Sequence, residues 1–537
     1  MNNIEKLRSA VTKSDLSDLL GISHMRLTYV IYVLSKRKSL YTTFQIPKKS
    51  GGQRTINAPI EELREIQKKL SKLLMDCISE IRVENGVGNI VSHGFERQKS
   101  IVTNANTHKN KKFVLNLDIE DFFDSIIFGR VRGFFQKNKN FMLSDDIATL
   151  IAQIACSNNK LPQGSPCSPV ISNLISGSMD MRILSLCTKN RCHYSRYADD
   201  ITISTNIKKL GSDILDKQSN KNTIEIGSKL KKEIERSGFS INKKKNRLQY
   251  SHSRQEVTGI VVNRKVSIKE EYHKKARSLC NHLFTKGSFY IIDKKTGMPR
   301  EGTLNYLEGV LSFINIIDVE NRKQNNEIDL LDKNKRERLY SDFLYFKNFH
   351  CNSNPIIVTE GHTDVVHLKC AIKSLQPPEL LSGKKIKASF YKNSKRNKFF
   401  FELPDGSGGI KKIISNYKEN FKKYKGVAPK KPVILLLDND SGSEGSNGIF
   451  SYIRKNIIKG KSVEDIRKMP YIHLFHNLYI VFTPLIGGAK ESCIEDFYEQ
   501  SVLDTVLSGK VFNKTNKKLA PNEYGKDYFS KYVVYDN

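Results

Sequence analysis

The sequence predicts a multidomain chain of the α/β and α+β classes, with two lobes separated by a polar stretch. Two continuous apolar strands that run into acids carry this reading: "FVLNLDIEDFF" (113–123) and "KPVILLLDNDSGSEG" (431–445). In the later half such strands alternate with helical spacing, which implies a parallel sheet whose active groups lie just beyond the strand carboxyl ends. Between the halves, residues 318–353 turn polar ("DVENRKQNNEIDLLDKNKRERLYSDFLYFKNFHCNS"), which suits a helical or partly ordered connector. At 537 residues the chain is long enough for two to four separate cores.

Taken in order, residues 1–40 have helical apolar spacing through "LSDLLGISHMRLTYVIYVL" and fit a short packing helix pair or a helix-turn-helix. "YTTFQIPKKSGGQRTINAP" (41–59) alternates around a Lys-Lys-Ser-Gly-Gly turn and predicts a β-hairpin. A Leu/Ile/Lys-rich helix follows over 61–81, then the 113–123 strand. "KLPQGSPCSPVISNLI" (160–175) reads as a loop entering a helix, and "YSRYADDITIS" (194–204) as strand, turn, strand. A basic amphipathic helix spans 226–238. Beyond the polar stretch, "PIIVTEGHTDVVHLKCAIKSL" (355–375) is strand, acidic turn and helix.

Net charge is +33, from 89 Lys and Arg against 56 Asp and Glu, which points to a polyanionic partner such as nucleic acid. No apolar run is long enough to span a bilayer, and the N-terminus lacks the apolar core of a signal peptide. Nine cysteines without a Cys-x-x-Cys pair fit reduced thiols, so a cytoplasmic location is expected.

Asp199 and Asp200 stand side by side in an apolar, β-branched stretch. An unpaired buried carboxylate is costly, so the pair belongs either to a hairpin turn or to a metal site. Asp118 closes the first apolar strand. If the two strands are neighbours, three carboxylates converge, as two Mg²⁺ ions about 4 Å apart require for in-line phosphoryl displacement. Magnesium keeps several waters, so three carboxylates suffice.

"LDIEDFF", "LPQGSPCSP" and "YADD" follow one another in the order and rough spacing of the reverse transcriptase palm, with "IPKKSGGQRTINAP" ahead and "GFSINKKKNRL" behind. Residues 20–315 thus resemble a right-hand polymerase: fingers and palm over 41–250 after an N-terminal helical segment (1–40), and a thumb over 251–317. The resemblance implies that Asp118, Asp199 and Asp200 are the metal ligands. It places Phe123 at the gate against a ribose 2′-hydroxyl, so that deoxynucleotides are preferred. Gln163 and Gly164 would shape the nucleotide and template pocket, Lys48 and Arg54 would meet triphosphate, and Lys245 would protonate leaving pyrophosphate. For Lys48 a solvated side chain is the competing reading.

Asn-Ala-x-x-His (Asn104, Ala105, His108) and Val-Thr-Gly (Val257, Thr258, Gly259) read locally as a helix cap with a satisfied histidine and as a strand end. At these two places, however, they resemble the marks of retron reverse transcriptases. That family implies a cognate structured noncoding RNA as template and primer, RNA contacts at those residues, and synthesis from the 2′-hydroxyl of an internal guanosine to a branched RNA–DNA. Lys274, Lys275 and Arg277 on "KEEYHKKARSLCNHLF" (269–284) fit a thumb helix on RNA backbone or a solvated helix face.

In the second half, Glu360 and Asp364 flank "EGHTD", Asp438 and Asp440 follow "VILLL", and "ESCIEDF" offers Glu495 and Asp496. Acids so spaced can gather around divalent metal; singly they suit a helix N-terminus and a polar loop. Together they resemble a TOPRIM domain, a Rossmann-like parallel sheet, over 354–537. "EYGKDYF" resembles the Gly-Lys-x-x-Phe of OLD-type nucleases, which makes Lys526 the candidate for stabilising charge on a scissile phosphate. Polymerase, connector (318–353) and TOPRIM in one chain resemble the retron reverse transcriptase–TOPRIM fusions. Chains of that kind are expected to run on into an apolar segment past the position of Asn537. The resemblance implies Mg²⁺ or Mn²⁺ at Glu360, Asp438 and Asp440, cleavage of DNA or RNA in antiphage defence, restraint by the bound RNA–DNA product, and room for a homo-oligomer. The rival readings are a group II intron-like or diversity-generating polymerase, a non-catalytic C-terminal binding module, and a DNA-binding regulator.

Overall fold

The structure, a computed structural model, describes all residues except 1, 49–50, 87–90, 220–222, 294–295, 328–331, 375–386, 392–393, 403–406, 441–447, 516–518 and 536–537. The polar loop after Asp440 and the tip of the first hairpin therefore lie outside the described residues. The chain divides into two compact units, Met1–Lys269 and Glu270–Asn537. The division falls inside the 251–317 segment that the sequence reading kept whole.

The first unit opens with short helices. Lys13–Leu20 starts on a Thr12–Asp15 capping box and ends at Gly21 in the left-handed region, and the next helix begins at His24. Leu16, Leu20 and Leu27 of these helices are buried in the unit's core. Strands Tyr41–Pro47 and Gln53–Pro59 pair antiparallel from Tyr41↔Pro59 to Pro47↔Gln53. Helix Glu61–Glu84 buries Leu63, Ile66, Leu70, Leu74, Cys77 and Ile81, spaced three and four apart as an amphipathic helix requires. Strand Phe113–Glu120 lies at the centre of an antiparallel sheet. Asp200–Thr205 pairs on one side of it, with His193–Tyr197 beyond, and Ser240–Ile241 and Arg247–Tyr250 pair on the other. Val114, Leu115, Leu117 and Ile119 are all buried, so both faces of this strand are covered and its apolar run is continuous rather than alternating.

In the second unit, helices Glu270–Lys286, Leu304–Gln324 and Lys335–Tyr345 precede a five-stranded sheet in the order Ser389–Phe390, Ile356–Thr359, Val433–Leu437, Leu478–Phe482, Ile472–Phe475. The first four strands are parallel and the last is antiparallel. Much of the described part of 318–353 is helical, and within it Tyr340, Phe343, Phe346 and Phe349 are at most 1% exposed. The polar average hid an aromatic stripe at helical spacing. The stretch's charges are also neutralised internally, by Arg322 on Glu337 at 2.7 Å and by the Arg336–Asp318 pair. Among the described residues no helix is long and apolar enough to cross a membrane.

Candidate active sites

Antiparallel pairing sets Asp118 directly opposite Asp200, and the Asp199 carbonyl accepts from Ile119 N at 2.9 Å. The two strands that carry the acids are neighbours, as the sequence reading required. Burial, then the charges of Asp199 and Asp118, push Asp200 up to about 7. Asp199 is raised by burial and by Asp118, against Lys245 and Arg54. Both Asp118 oxygens accept from Lys245 Nζ at 2.9 Å, so the ammonium supplies countercharge that a divalent cation could otherwise provide. No group of three His, Cys, Asp or Glu side chains among the described residues is already gathered into a metal cluster. The donor set nevertheless suits Mg²⁺: three hard oxygen donors whose mutual repulsion a cation relieves, with the remaining positions left to water and substrate.

The turn that carries the aspartates is held from beneath by residues the sequence reading did not single out. Ala198 has φ +56°, a costly value for a residue with a Cβ. Its carbonyl accepts from Arg196 Nη1 at 2.9 Å, and Arg196 is fully buried. That guanidinium also grips Asp180 through Nε at 2.8 Å and Nη2 at 2.7 Å, and Tyr194 Oη donates to the same carboxylate at 2.7 Å. From the other side Gly94 lies against the turn: a Cβ there would stand 2.5 Å from Ala198 N, so only glycine fits. No local motif marks Arg196 or Asp180; a buried guanidinium is legible only once its partner, 16 residues away, is placed.

Gly164 sits at φ +125° with its Cα against the hairpin: a Cβ would meet the Asn57 carbonyl at 2.8 Å, and Asn57 N donates to Gln163 O at 2.8 Å. The Pro-Gln-Gly loop is thus stitched to strand Gln53–Pro59. Lys48 and Arg54 are exposed on that hairpin, and Arg54 is close enough to oppose the rise at Asp199. Phe123 is wedged between Phe122 and Phe95, with ring centroids 5.3 and 6.2 Å away.

The RNA contacts expected of Asn104 and His108 are corrected. Both are 0% exposed. Asn104 Oδ1 accepts from Ser195 Oγ at 2.5 Å, and the His108 ring bonds Ser204 and Ser195 at 2.7 Å each. Burial drives His108 down to about 3, so it stays neutral, and the pair tie helix Ile101–Thr107 to the sheet. Val257 is buried too, while Thr258 is half-buried, 3.4 Å from the Ile101 carbonyl, and Gly259 is exposed at φ +85°. Only the latter two keep a face for a ligand. Lys274, Lys275 and Arg277 are exposed in the second unit, with Lys274 paired to Glu270 at 2.8 Å.

The second acidic group assembles at the carboxyl ends of the parallel strands. Glu360 follows strand Ile356–Thr359, Asp364 opens the next helix and accepts from Gly361 N at 2.9 Å, and Asp438 and Asp440 follow Val433–Leu437. Glu495 is fully buried, with Lys526 Nζ 3.0 Å from its Oε2. These groups share one field. Burial, then Asp364, Glu495 and Glu360, push Asp438 up to about 7 against Lys526. Burial, Asp440 and Asp364 raise Glu360, and burial and Glu495 raise Asp364. Although burial lowers it, Lys526 is held above its usual range by Glu495. Glu360, Asp364 and Asp438, hard donors with raised affinities for protons, suit a divalent cation by the same argument as above. Asp496 faces elsewhere, capping Cys493 N at 2.8 Å and pairing with Lys514. Beneath the Asp438–Asp440 turn lies a second unforeseen buried arginine: Arg467 Nη1 donates to the Asn439 carbonyl and Oδ1 at 3.0 Å each, and Asn439 N donates to Thr483 Oγ1 at 3.0 Å.

The family model "Reverse transcriptase (RNA-dependent DNA polymerase)" matches residues 46–275. The retron Ec86 reverse transcriptase of Escherichia coli is 31% identical over 314 residues, which cover 58% of this chain and 86% of that relative. The chain belongs to the retron reverse transcriptases. The retron Mx65 reverse transcriptase of Myxococcus xanthus is 27% identical over 325 residues, covering 58% of this chain and 69% of the relative. A telomerase structure from Candida albicans is a weak likeness, at TM-score 0.32 and 10% identity over 74% of this chain and 67% of that one. This retron reverse transcriptase is an RNA-directed DNA polymerase, and its domain type uses Mg²⁺ in a two-metal site. Replacing Phe123 with alanine is expected to raise ribonucleotide incorporation relative to deoxynucleotide by about 10-fold or more, since a steric exclusion of about 1.4 kcal/mol already gives that ratio. Primer extension with each triphosphate alone measures it, and an unchanged ratio would remove Phe123 from the gate.

Proposed function

We propose that this retron reverse transcriptase copies a cognate structured noncoding RNA into a branched RNA–DNA, and that its second unit is a TOPRIM nuclease deployed in antiphage defence. Five carboxylates and one lysine sharing a field at the carboxyl ends of a parallel sheet carry the second half of this reading. That is the place where an open α/β sheet puts its chemistry.

In the polymerase, bound Mg²⁺ would supply charge stabilisation to the attacking hydroxyl and to the triphosphate. The chain's own contribution is positional. Asp118, Asp199 and Asp200 would hold the ions, the Pro-Gln-Gly loop and the Gln53–Pro59 strand shape the nucleotide pocket, and Arg54 would meet phosphate. Lys245, within hydrogen-bond distance of Asp118, would donate its proton to the departing pyrophosphate. In the second unit Glu360, Asp438 and Asp440 would hold the metal, with Asp364 and Glu495 in support. Lys526 stands where it can stabilise charge on a phosphate oxygen. The bound RNA–DNA product restrains this centre until an invader damages it.

Stripping the product with nucleases and adding Mg²⁺ or Mn²⁺ is expected to yield cleavage of labelled DNA or cellular RNA. The Asp438→Asn/Asp440→Asn variant is expected to lose at least about 10²-fold, the scale set by losing charge stabilisation of several kcal/mol. Cleavage that survives in the variant, or none in the parent, would leave the second unit a binding module.

A further inference from the structure

The last described helical segment, Lys526–Tyr535, has two unlike sides. Phe529, Ser530 and Val533 are buried, and Phe529 stacks on Phe512 at 4.2 Å and meets Tyr498 edge-on at 5.5 Å. The other side carries three tyrosines in the open: Tyr528 is 58% exposed, Tyr532 39% and Tyr535 70%. The Tyr528 and Tyr532 rings lie 5.1 Å apart, and Lys531 Nζ sits 4.6 Å over the Tyr532 ring. The segment is fixed to the acidic site at its start, through Lys526 on Glu495 at 3.0 Å and Asp527 on His362 at 2.8 Å. The tyrosines therefore begin two residues from the lysine of the cluster, on a segment anchored by its buried side.

We propose that this face, with Tyr528, Lys531, Tyr532 and Tyr535, is the substrate platform of the second acidic site and takes single-stranded nucleic acid. This rests on reading that site as a phosphodiesterase centre. A phosphodiester entering the carboxylates brings its neighbouring bases within reach of the segment beside them. Aromatic rings in water, with a cation among them, suit bases and the phosphates that join them. Only an unpaired strand can offer its base faces, because duplex bases are already stacked on one another. The arrangement is sequence-tolerant, since every base has a π-face.

The test uses the full chain, stripped of its RNA–DNA product, in two arms. In the first, 5-iodouracil oligonucleotides are photocrosslinked in EDTA and the adducts mapped by mass spectrometry. Adducts on Tyr528, Tyr532 or Tyr535 from single strands but not from duplex are expected. Adducts confined to residues 1–269, or equal labelling by duplex, would overturn the platform. In the second arm, the KM for cleavage of a single-stranded oligonucleotide is compared with that for bis(p-nitrophenyl) phosphate, which has no base to stack. Tyr528→Ala/Tyr532→Ala is expected to raise the ratio of the two about 10- to 100-fold, the scale of one to two lost stacking contacts. Tyr528→Phe/Tyr532→Phe should restore it. A ratio that does not move while the small diester is hydrolysed would overturn the platform and leave the phosphodiesterase reading standing. No hydrolysis of the small diester by the parent chain would overturn that reading instead, and the crosslinks would still decide the platform.

Discussion

Replacing Asp200 with asparagine is expected to abolish RNA-templated DNA synthesis and, at the same time, to make the metal-free protein harder to melt. The loss should be about 10³-fold or more, because the site gives up one of three oxygen donors for ions that supply several kcal/mol of charge stabilisation. The gain has the opposite origin. In the absence of a cation Asp200 lies beside two other carboxylates, and its affinity for a proton is pushed up to about 7. A neutral amide of nearly the same shape removes that repulsion. In EDTA each kcal/mol of relief appears as about 2–4 °C in Tm for a unit of this size. Adding Mg²⁺ should then raise the Tm of the parent but not of the variant, because ligand stabilisation requires the donors. Primer extension with melting curves in EDTA and in Mg²⁺ checks both signs. A variant that melts lower in EDTA would show Asp200 to be a structural residue.

Removing Arg196 is expected to do damage of a different kind. Arg196→Met leaves the Asp180 carboxylate buried without its partner, which costs about 3–5 kcal/mol. It also frees the Ala198 carbonyl, and with it the turn that presents Asp199 and Asp200. The two effects can be separated. Arg196→Met/Asp180→Leu/Tyr194→Phe removes the ion pair and the hydroxyl bonded to it, and apolar residues in place of a buried ion pair are often neutral for stability. Melting should therefore recover toward the parent value. Synthesis should stay low, with the loss in kcat rather than in KM for deoxynucleotide, since a misplaced metal ligand affects the reacting geometry more than binding. Recovery of kcat along with stability would end the positioning role and leave Arg196 as part of the core.

How much was legible in the sequence follows from how local each signal is. The meeting of the three aspartates could be read because an apolar strand closes on Asp118 and a β-branched hairpin carries Asp199 and Asp200, and the pairing of Asp118 with Asp200 then follows from register. The acids of the second unit were legible for the same reason. Asn104 and His108 were misplaced because a polar pair at helical spacing looks the same from outside whether it faces solvent or bonds two serines on a neighbouring strand. Arg196 and Arg467 gave no sign at all, since each is explained by partners distant in the chain. The 318–353 stretch was legible as helix but not as core: Tyr340, Phe343, Phe346 and Phe349 form a buried row among lysines and asparagines that hide it in the average.

The helix Glu270–Lys286, which the sequence assigns to a thumb, belongs to the second compact unit. Phe284 packs its ring on Phe346 and Tyr424 at 5.5 and 5.2 Å, and its carbonyl accepts from Lys425 N at 2.8 Å. A cut at residue 353, where the chain looks divisible, would part Phe284 from Tyr424, and a cut at 317 would part it from Phe346 as well. A boundary drawn from composition and one drawn from packing therefore differ in this chain, and a second lobe meant to be expressed alone must begin no later than Glu270.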